Sequence, residues 1–440
     1  MSKHKLSLGT AILVNVNIMM GAGLFLNTVV LSQRAGMLGC FSYILIGLLL
    51  LPLIASITTL ISMHPDGGFY TFGAKEINPF AGFFSSWSYF VGKLASATLM
   101  IHTSVLLVQQ ILPVLQNISP FALDLLIIGA FVLLNMLNTQ TGASIQRWFM
   151  GLKLIPIFFT IFAGLFLISG SNFTSINYIW EGIPSTIALA LFATTGFEAT
   201  CSLSSQIKNA AKNGRRAIFI SYGIVILTAT LFQFMLYASV GSQLATQATY
   251  LETFPTLLAK LFPTFPLLAK KIEILLYLAI ASSALGGAYG IMYSNTWNLY
   301  TLAQNKHLIK SSYFEKLNKY FIPFACVIAE GFVCVLYLLI ARADQLSLQQ
   351  IGALGCVIAY TVSVLSLLTA KIKNKKTPVR WWIPILGILN CAFLIGFCIY
   401  NFTLSGITPL YSFFALLLFG VAIYFYSKLS NQNNQEKIHQ

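Results

Sequence analysis

Three ionisable side chains stand inside stretches that are otherwise strongly apolar. Lys93 lies in Val91-Gly92-Lys93-Leu94 and Lys153 in Gly151-Leu152-Lys153-Leu154-Ile155-Pro156. Glu198 closes Phe192-Ala193-Thr194-Thr195-Gly196-Phe197-Glu198. A charge at the centre of a bilayer costs about 2.5–3.5 kcal/mol on insertion scales, so such residues point to partners, substrates or coupling ions. Lys93 has three readings: an ion pair with Glu198, a contact to an acidic or polar substrate, or a side chain snorkelling to an interface. The ion pair is the expectation, with access to substrate retained. Glu198 is then either a gating or proton-linked carboxylate or the structural partner of Lys93. Glu330, beside Gly331, reads as a protein–protein contact or a local hydrogen bond, and His102 as a packing residue. His64 and Asp66 flank the Pro65 turn and read as loop residues. Cys40, Cys201, Cys326, Cys334, Cys356, Cys391 and Cys398 lack metal-ligand spacing and read as buried small hydrophobes. Serine–histidine, metal-ligand and phosphate-loop arrangements do not occur in the sequence, so neither an enzyme nor a metal or other cofactor is expected.

The elements that must position these groups follow from composition. The 440 residues are 57% hydrophobic and 8% charged, with a mean hydropathy of +0.80. Soluble domains carry about 25% charged residues, which excludes an ordinary soluble protein, and the apolar content excludes disorder. A helical span needs roughly 20 apolar residues. Twelve candidates follow: 7–31, 37–63, 80–112, 121–138, 145–170, 185–206, 217–243, 272–302, 321–341, 347–370, 381–402 and 408–427. Short strands of alternating polarity are missing, so an outer-membrane barrel is excluded. The loop 244–271 has amphipathic character and reads as a cap on the outer face, and a polar tail follows Lys428. The stretch after Lys5 is too long and lacks the small-residue site of a cleavable signal.

The net charge of +15 then reads as topology rather than nucleic-acid binding. With the N-terminus inside, 19 of the 26 basic residues fall on the cytoplasmic side, from Lys3 and Lys5 to Lys437. The opposite side holds Arg34, Lys260, Lys270, Lys271 and Arg342. Lys93 and Lys153 are the two that topology does not explain. Both termini are therefore expected in the cytoplasm.

Two spans carry glycine where a continuous helix would avoid it: Gly21 and Gly23 in the first, Gly196 in the sixth. Unwound backbone inside a membrane is tolerated only where it is buried or lines a cavity. Each break opens a five-span block, and corresponding breaks in two halves point to an inverted-repeat transporter with a midplane site. Close helix packing through small residues is the alternative, and Glu198 in the second break favours the transport site.

Gly21–Phe25, GAGLF, resembles the GxGIF signature of amino acid–polyamine–organocation transporters. Pro65–Tyr70 with Asn78–Phe83 resembles that family's loop between its second and third helices, and Gln146 to Lys153 its QxxxxxxK spacing. Phe192–Glu198 with Lys208-Asn209 resembles its FAxxGFE…KN segment. The likeness runs from about Leu6 to Lys373. Ser205 and Gln206 stand where the family usually has two glutamates, Ala210 replaces a proline, and Trp297 lies near a frequent arginine.

The resemblance implies an all-α integral membrane protein with a LeuT-like fold, two inverted five-helix repeats (7–170 and 185–370) and two further helices (381–427) in one domain. It implies that the amides of Gly21, Ala22 and Gly23 receive a substrate carboxylate, a role suited to N–H groups at a half-helix start. The carbonyls of Met19, Phe192 and Thr195 would receive the α-ammonium group, with the Phe192 ring as an aromatic gate. Lys153 matches a lysine that stands in for sodium in proton-dependent members, and its ammonium would occupy a cation's space. Bracing of the first and eighth helices is the alternative for Lys153. The function implied is amino acid transport by alternating access in a bacterial inner membrane. Proton-coupled symport is the expectation, amino acid/amine antiport the alternative, and a channel or non-transporting scaffold the alternative of another class.

Overall fold

Apolar length and local punctuation dictate the helices. The computed structural model describes residues 5–65, 67–137, 139–169, 172, 179–340 and 344–438. Lys3, Asp66 and Arg342 lie outside the described residues, as does the side chain of Lys437. The principal helices begin with α1 (Leu8–Met19), α2 (Gly23–Ala35), α3 (Phe41–Met63), α4 (Phe69–Glu76) and α5 (Pro79–Ile111). They continue with α6 (Pro120–Asn135), α7 (Thr139–Leu167), α8 (Ile183–Thr194), α9 (Ala199–Ser202), α10 (Ala210–Val240) and α11 (Thr253–Leu261). The chain closes with α12 (Pro266–Gln304), α13 (Phe324–Ile340), α14 (Gln345–Ile372), α15 (Trp382–Ser405) and α16 (Thr408–Ile438).

Among the described residues, eight helices are long and apolar enough to cross a bilayer, and α1 with α2 forms one more span, bent by 43°. The shorter apolar helices α6 and α13 and the interrupted pair α8–α9 complete the expected twelve. The protein is an all-α membrane protein. Helix starts follow side-chain chemistry: Ser7 accepts the Thr10 amide at 3.2 Å, and Asn78 the Ala81 amide at 2.8 Å with Pro79 at the first helical position.

Differences from expectation lie at the ends. Helix α12 starts at Pro266 rather than 272, and α16 runs to Ile438 rather than 427. A helix already nucleated in apolar sequence extends into polar residues at little cost. The loop 244–271 holds α11, whose Phe254, Leu257 and Leu258 are buried.

Burial separates a central post from a lipid-facing ring. The apolar window of α5 is 89% buried, against 33% for α7, α15 and α16. Helices α5 and α14 approach through paired glycines: a Cβ on Gly92 would stand 2.7 Å from the Gly355 Cα. That closeness is the membrane use of small residues.

Each face of the bundle is tied differently. On the face where the chain begins, Leu6 pairs with the segment before α10: its amide donates to the Gln206 carbonyl at 2.7 Å, and the Lys208 amide donates back at 2.9 Å. There Glu76 accepts from Lys375 at 2.7 and 3.0 Å and meets His64 Nε2 at 2.8 Å. His64, expected as a plain loop residue, is thus part of an ion cluster, because the turn brings it back over α4. On the opposite face Arg34 donates to the Ser185 carbonyl at 2.5 Å and to Asn401 Oδ1 at 2.9 Å.

Candidate functional site

The first break spans Met20–Ala22, between α1 and α2. Breaking the helix frees carbonyls at the end of α1 and amides at the start of α2. The carbonyls find protein donors: Lys153 Nζ donates to the Asn17 carbonyl and Ser283 Oγ to that of Met20 at 3.1 Å. The Asn17 amide group donates to Gln146 Oε1 and to the Gly286 carbonyl at 3.1 Å. The amides are different. Among the described residues, those of Gly21, Ala22 and Gly23 take no protein acceptor. Three N–H groups without a protein acceptor at a helix start have the geometry and dipole that attract an anion.

Glycine leaves room there for neighbouring side chains, most tightly at Gly23. A Cβ on Gly23 would lie 2.8 Å from the Phe192 ring, and one on Gly21 would lie 2.3 Å from Met100 Cε. Gly287 closes the same space, with its Cβ position 2.7 Å from Met100 Sδ. Met100 is two helical turns from Lys93 on the same face of α5.

The second break runs from Thr195 to Glu198, between α8 and α9. Thr195 is extended, and Gly196 has φ +139°, a conformation that L side chains rarely adopt. The Phe192 carbonyl already accepts the Thr195 hydroxyl at 3.0 Å and the Thr195 amide at 3.4 Å. Of the expected ammonium acceptors, Phe192 is therefore the one engaged by its own helix end. The two breaks touch: a Cβ on Gly196 would stand 2.8 Å from the Met19 nitrogen. Met19, Gly21, Ala22, Gly23, Phe192 and Thr195 are thus brought to one place.

Glu198 is fully buried and uses both oxygens. Oε2 accepts the Gly196 amide at 2.8 Å, and Oε1 pairs with Lys93 Nζ at 2.8 Å. The Cys356 thiol approaches the same oxygen at 3.9 Å. Lys93 is 2% exposed, which overturns the snorkelling alternative: α5 is the innermost helix and offers no route to an interface. Phe197 beside Glu198 stacks on Tyr360 of α14, with centroids 5.5 Å apart.

Lys153 is also fully buried, yet no carboxylate lies within ion-pair distance of it among the described residues. Its counter-charge is the negative end of the α1 dipole. The remaining intramembrane groups stand apart. His102 Nδ1 meets Asp124 Oδ2 at 2.7 Å, a satisfied packing residue as expected. Glu330 is fully buried and accepts from the Thr296 hydroxyl at 2.7 Å, so the local hydrogen bond holds and the protein–protein contact does not. The seven cysteines are buried and free, and among the described residues no group of His, Cys, Asp and Glu is arranged to hold a metal.

Sequence reasoning missed Met100, Asn17 and Asp124, and placed Gln146 in a motif without its contact to Asn17. Asp124 carried a usable signal, since a carboxylate inside an apolar span needs a partner. Met100 carried none, because a methionine in an apolar helix is ordinary.

The sequence profile of a family described as "Amino acid permease" matches residues 6–426. An uncharacterized transporter of Mycobacterium tuberculosis (strain ATCC 25618 / H37Rv) is 22% identical over 407 residues, covering 89% of this chain and 86% of that protein. The D-serine/D-alanine/glycine transporter of Escherichia coli (strain K12) is 24% identical over 343 residues, covering 72% and 69%. The lysine-specific permease LysP of Lactococcus lactis subsp. cremoris (strain MG1363) is 22% identical over 345 residues, covering 72% and 65%.

Proposed function

We propose that this chain, which belongs to the amino acid permease family, is a proton-coupled symporter of neutral amino acids working by alternating access. The observation that carries the reading is the set of three unsatisfied amides at Gly21–Gly23 lying against the second break. A zwitterion suits both sides of that junction. Its carboxylate takes the amides, and its ammonium group takes main-chain carbonyls at Met19 and Thr195. The Phe192 ring, on Gly23, is placed to cover it.

The pairing of Lys93 with Glu198 at 2.8 Å leaves no net side-chain charge at that point, which supports a neutral rather than a cationic substrate. Lys153, which holds the end of α1 without a carboxylate partner, is the candidate proton carrier. Loss of its charge would weaken its hold on the Asn17 carbonyl and loosen the break. Each break lies in the opening span of one repeat, 7–170 or 185–370, and the two repeats would rock about the site. The termini face the cytoplasm of a bacterial inner membrane, with the basic loops on the same side. No catalytic role is assigned to any residue.

Antiport is the second reading, favoured by the same Lys153 contact if the ammonium stays charged and only braces the break. Uptake of a labelled amino acid panel into liposomes of purified protein tests the proposal. Accumulation into empty vesicles driven by an inward proton gradient supports symport; dependence on preloaded amino acid supports exchange. Flux of no amino acid or amine at all contradicts transport.

A further inference from the structure

On the face opposite the termini, α15 and the start of α8 border an open, lipid-facing groove of about 610 Å³ lined by Pro184, Leu389, Ala392, Phe393, Phe397 and Tyr400. Gly396 makes the hollow: a Cβ there would meet open space. Ala392, Gly396 and Tyr400 fall on one helix face at four-residue spacing. From Leu389 to Tyr400 the groove follows α15 for about 16 Å, at 1.5 Å per residue. That equals one leaflet of a hydrocarbon core roughly 30 Å thick.

A cation stands at its rim. Arg34 bonds to the Ser185 carbonyl and to Asn401, the chain neighbours of Pro184 and Tyr400 in the lining. Both hydrogen bonds use Nη1, so donors remain among the five a guanidinium carries. Among the described residues no carboxylate lies within ion-pair distance of Arg34. Glu181, on the turn Trp180–Gly182, is exposed and does not pair with it. An apolar channel one leaflet deep that begins at a cation without a counter-ion has the chemistry of a phospholipid with an anionic headgroup.

We infer that this groove is a binding site for one anionic glycerophospholipid, with an acyl chain along Phe393 and Gly396 and its phosphate on Arg34. The bound lipid would brace the start of α8, the half-helix that leads into the second break. A lipid anion supplies the charge that Arg34 lacks from the protein, and the guanidinium fork suits a phosphate.

Native mass spectrometry of delipidated protein, titrated with phosphatidylglycerol or phosphatidylcholine of identical acyl chains, tests the site. Wild-type protein should retain phosphatidylglycerol over phosphatidylcholine by about fivefold, the equivalent of roughly 1 kcal/mol for one basic residue at an anionic surface. Arg34→Gln should bring the two lipids to parity. Gly396→Leu, which fills the groove from a position with no neighbouring atoms, should remove one bound lipid of either kind. Because Arg34 also ties α2 to α8 and α15, Gly396→Leu keeps the test decisive if Arg34→Gln does not fold. Unchanged lipid occupancy in Gly396→Leu, or an undiminished phosphatidylglycerol preference in folded Arg34→Gln, would overturn the inference.

Discussion

Two lysines are buried in the same membrane bundle and are held in opposite ways. Lys93, on the central helix α5, is neutralised by a carboxylate at 2.8 Å that is itself anchored to the Gly196 amide. Lys153, on the more peripheral α7, faces a main-chain carbonyl at the end of a broken helix. The first arrangement is electrically closed: removing either partner leaves the other charge stranded. The second is open, because the dipole end that holds the ammonium is a fraction of a charge. A closed pair suits a fixed joint between α5 and the second break. An open contact suits a group whose charge changes during a cycle.

That contrast is broken most directly at the pair. Glu198→Gln should destabilise the protein by about 3–5 kcal/mol, because it strands a buried ammonium. The double variant Lys93→Met with Glu198→Gln should recover much of that loss, and thermal melts of the two single variants and the double measure the coupling. A double variant no better than the singles would show that the pair is not electrically closed.

Lys153→Met should cost less, about 1.5–3 kcal/mol, the range for a hydrogen bond to a charged group. Its larger effect should appear in transport. Uptake by Lys153→Met should lose its dependence on the proton gradient, whereas any uptake left in the Lys93–Glu198 double variant should keep it. Loss of gradient dependence in both would erase the difference between the two lysines.

Gly196→Ala sharpens the comparison by straining the joint without touching charge. With φ at +139° and the Met19 nitrogen 2.8 Å from the added Cβ, a cost of about 1–3 kcal/mol is expected in denaturation measurements. Transport should fall while gradient dependence persists.

The smallest effect belongs to the ion cluster on the terminal face. Burial pushes the Glu76 carboxyl up, but hydrogen bonds from Lys375 and His64 outweigh it and hold it below its ordinary value of 4.5. A carboxyl depressed in the folded state contributes stability above its unfolded pKa and loses it as pH falls through the folded one. The contribution is therefore full at neutral pH and lost in acid, below the usual glutamate range. Glu76→Gln should lower the melting temperature modestly at neutral pH and flatten that acid-side slope, so that variant and wild type converge in acid. Nearby His307, pushed down by burial to about 4, stays neutral at physiological pH and should not contribute a slope there.

How much of this was legible depends on the kind of signal a residue leaves. Spans left one in apolar length, and the breaks at Gly21, Gly23 and Gly196 left one in glycine placement. The pairing of Lys93 with Glu198 was legible because isolated charge is expensive in a membrane. For Lys153 the resemblance reached the first helix as something to brace but not the acceptor, since a main-chain carbonyl carries no sequence mark. Met100 on Gly21 and the Asn17–Gln146 contact were equally hidden: they join distant segments through ordinary side chains, and only packing reveals them. The true end of α16 was obscured by a polar sequence that the preceding helix carries along.

The central claim is that Lys153 couples protons to amino acid movement at the broken-helix site. Its most direct test is the uptake of a labelled neutral amino acid into empty proteoliposomes, with and without an inward proton gradient, for wild type and Lys153→Met. Gradient-driven accumulation by wild type alone is the predicted result. Uptake that ignores the gradient and requires preloaded amino acid, equally in both proteins, would contradict it.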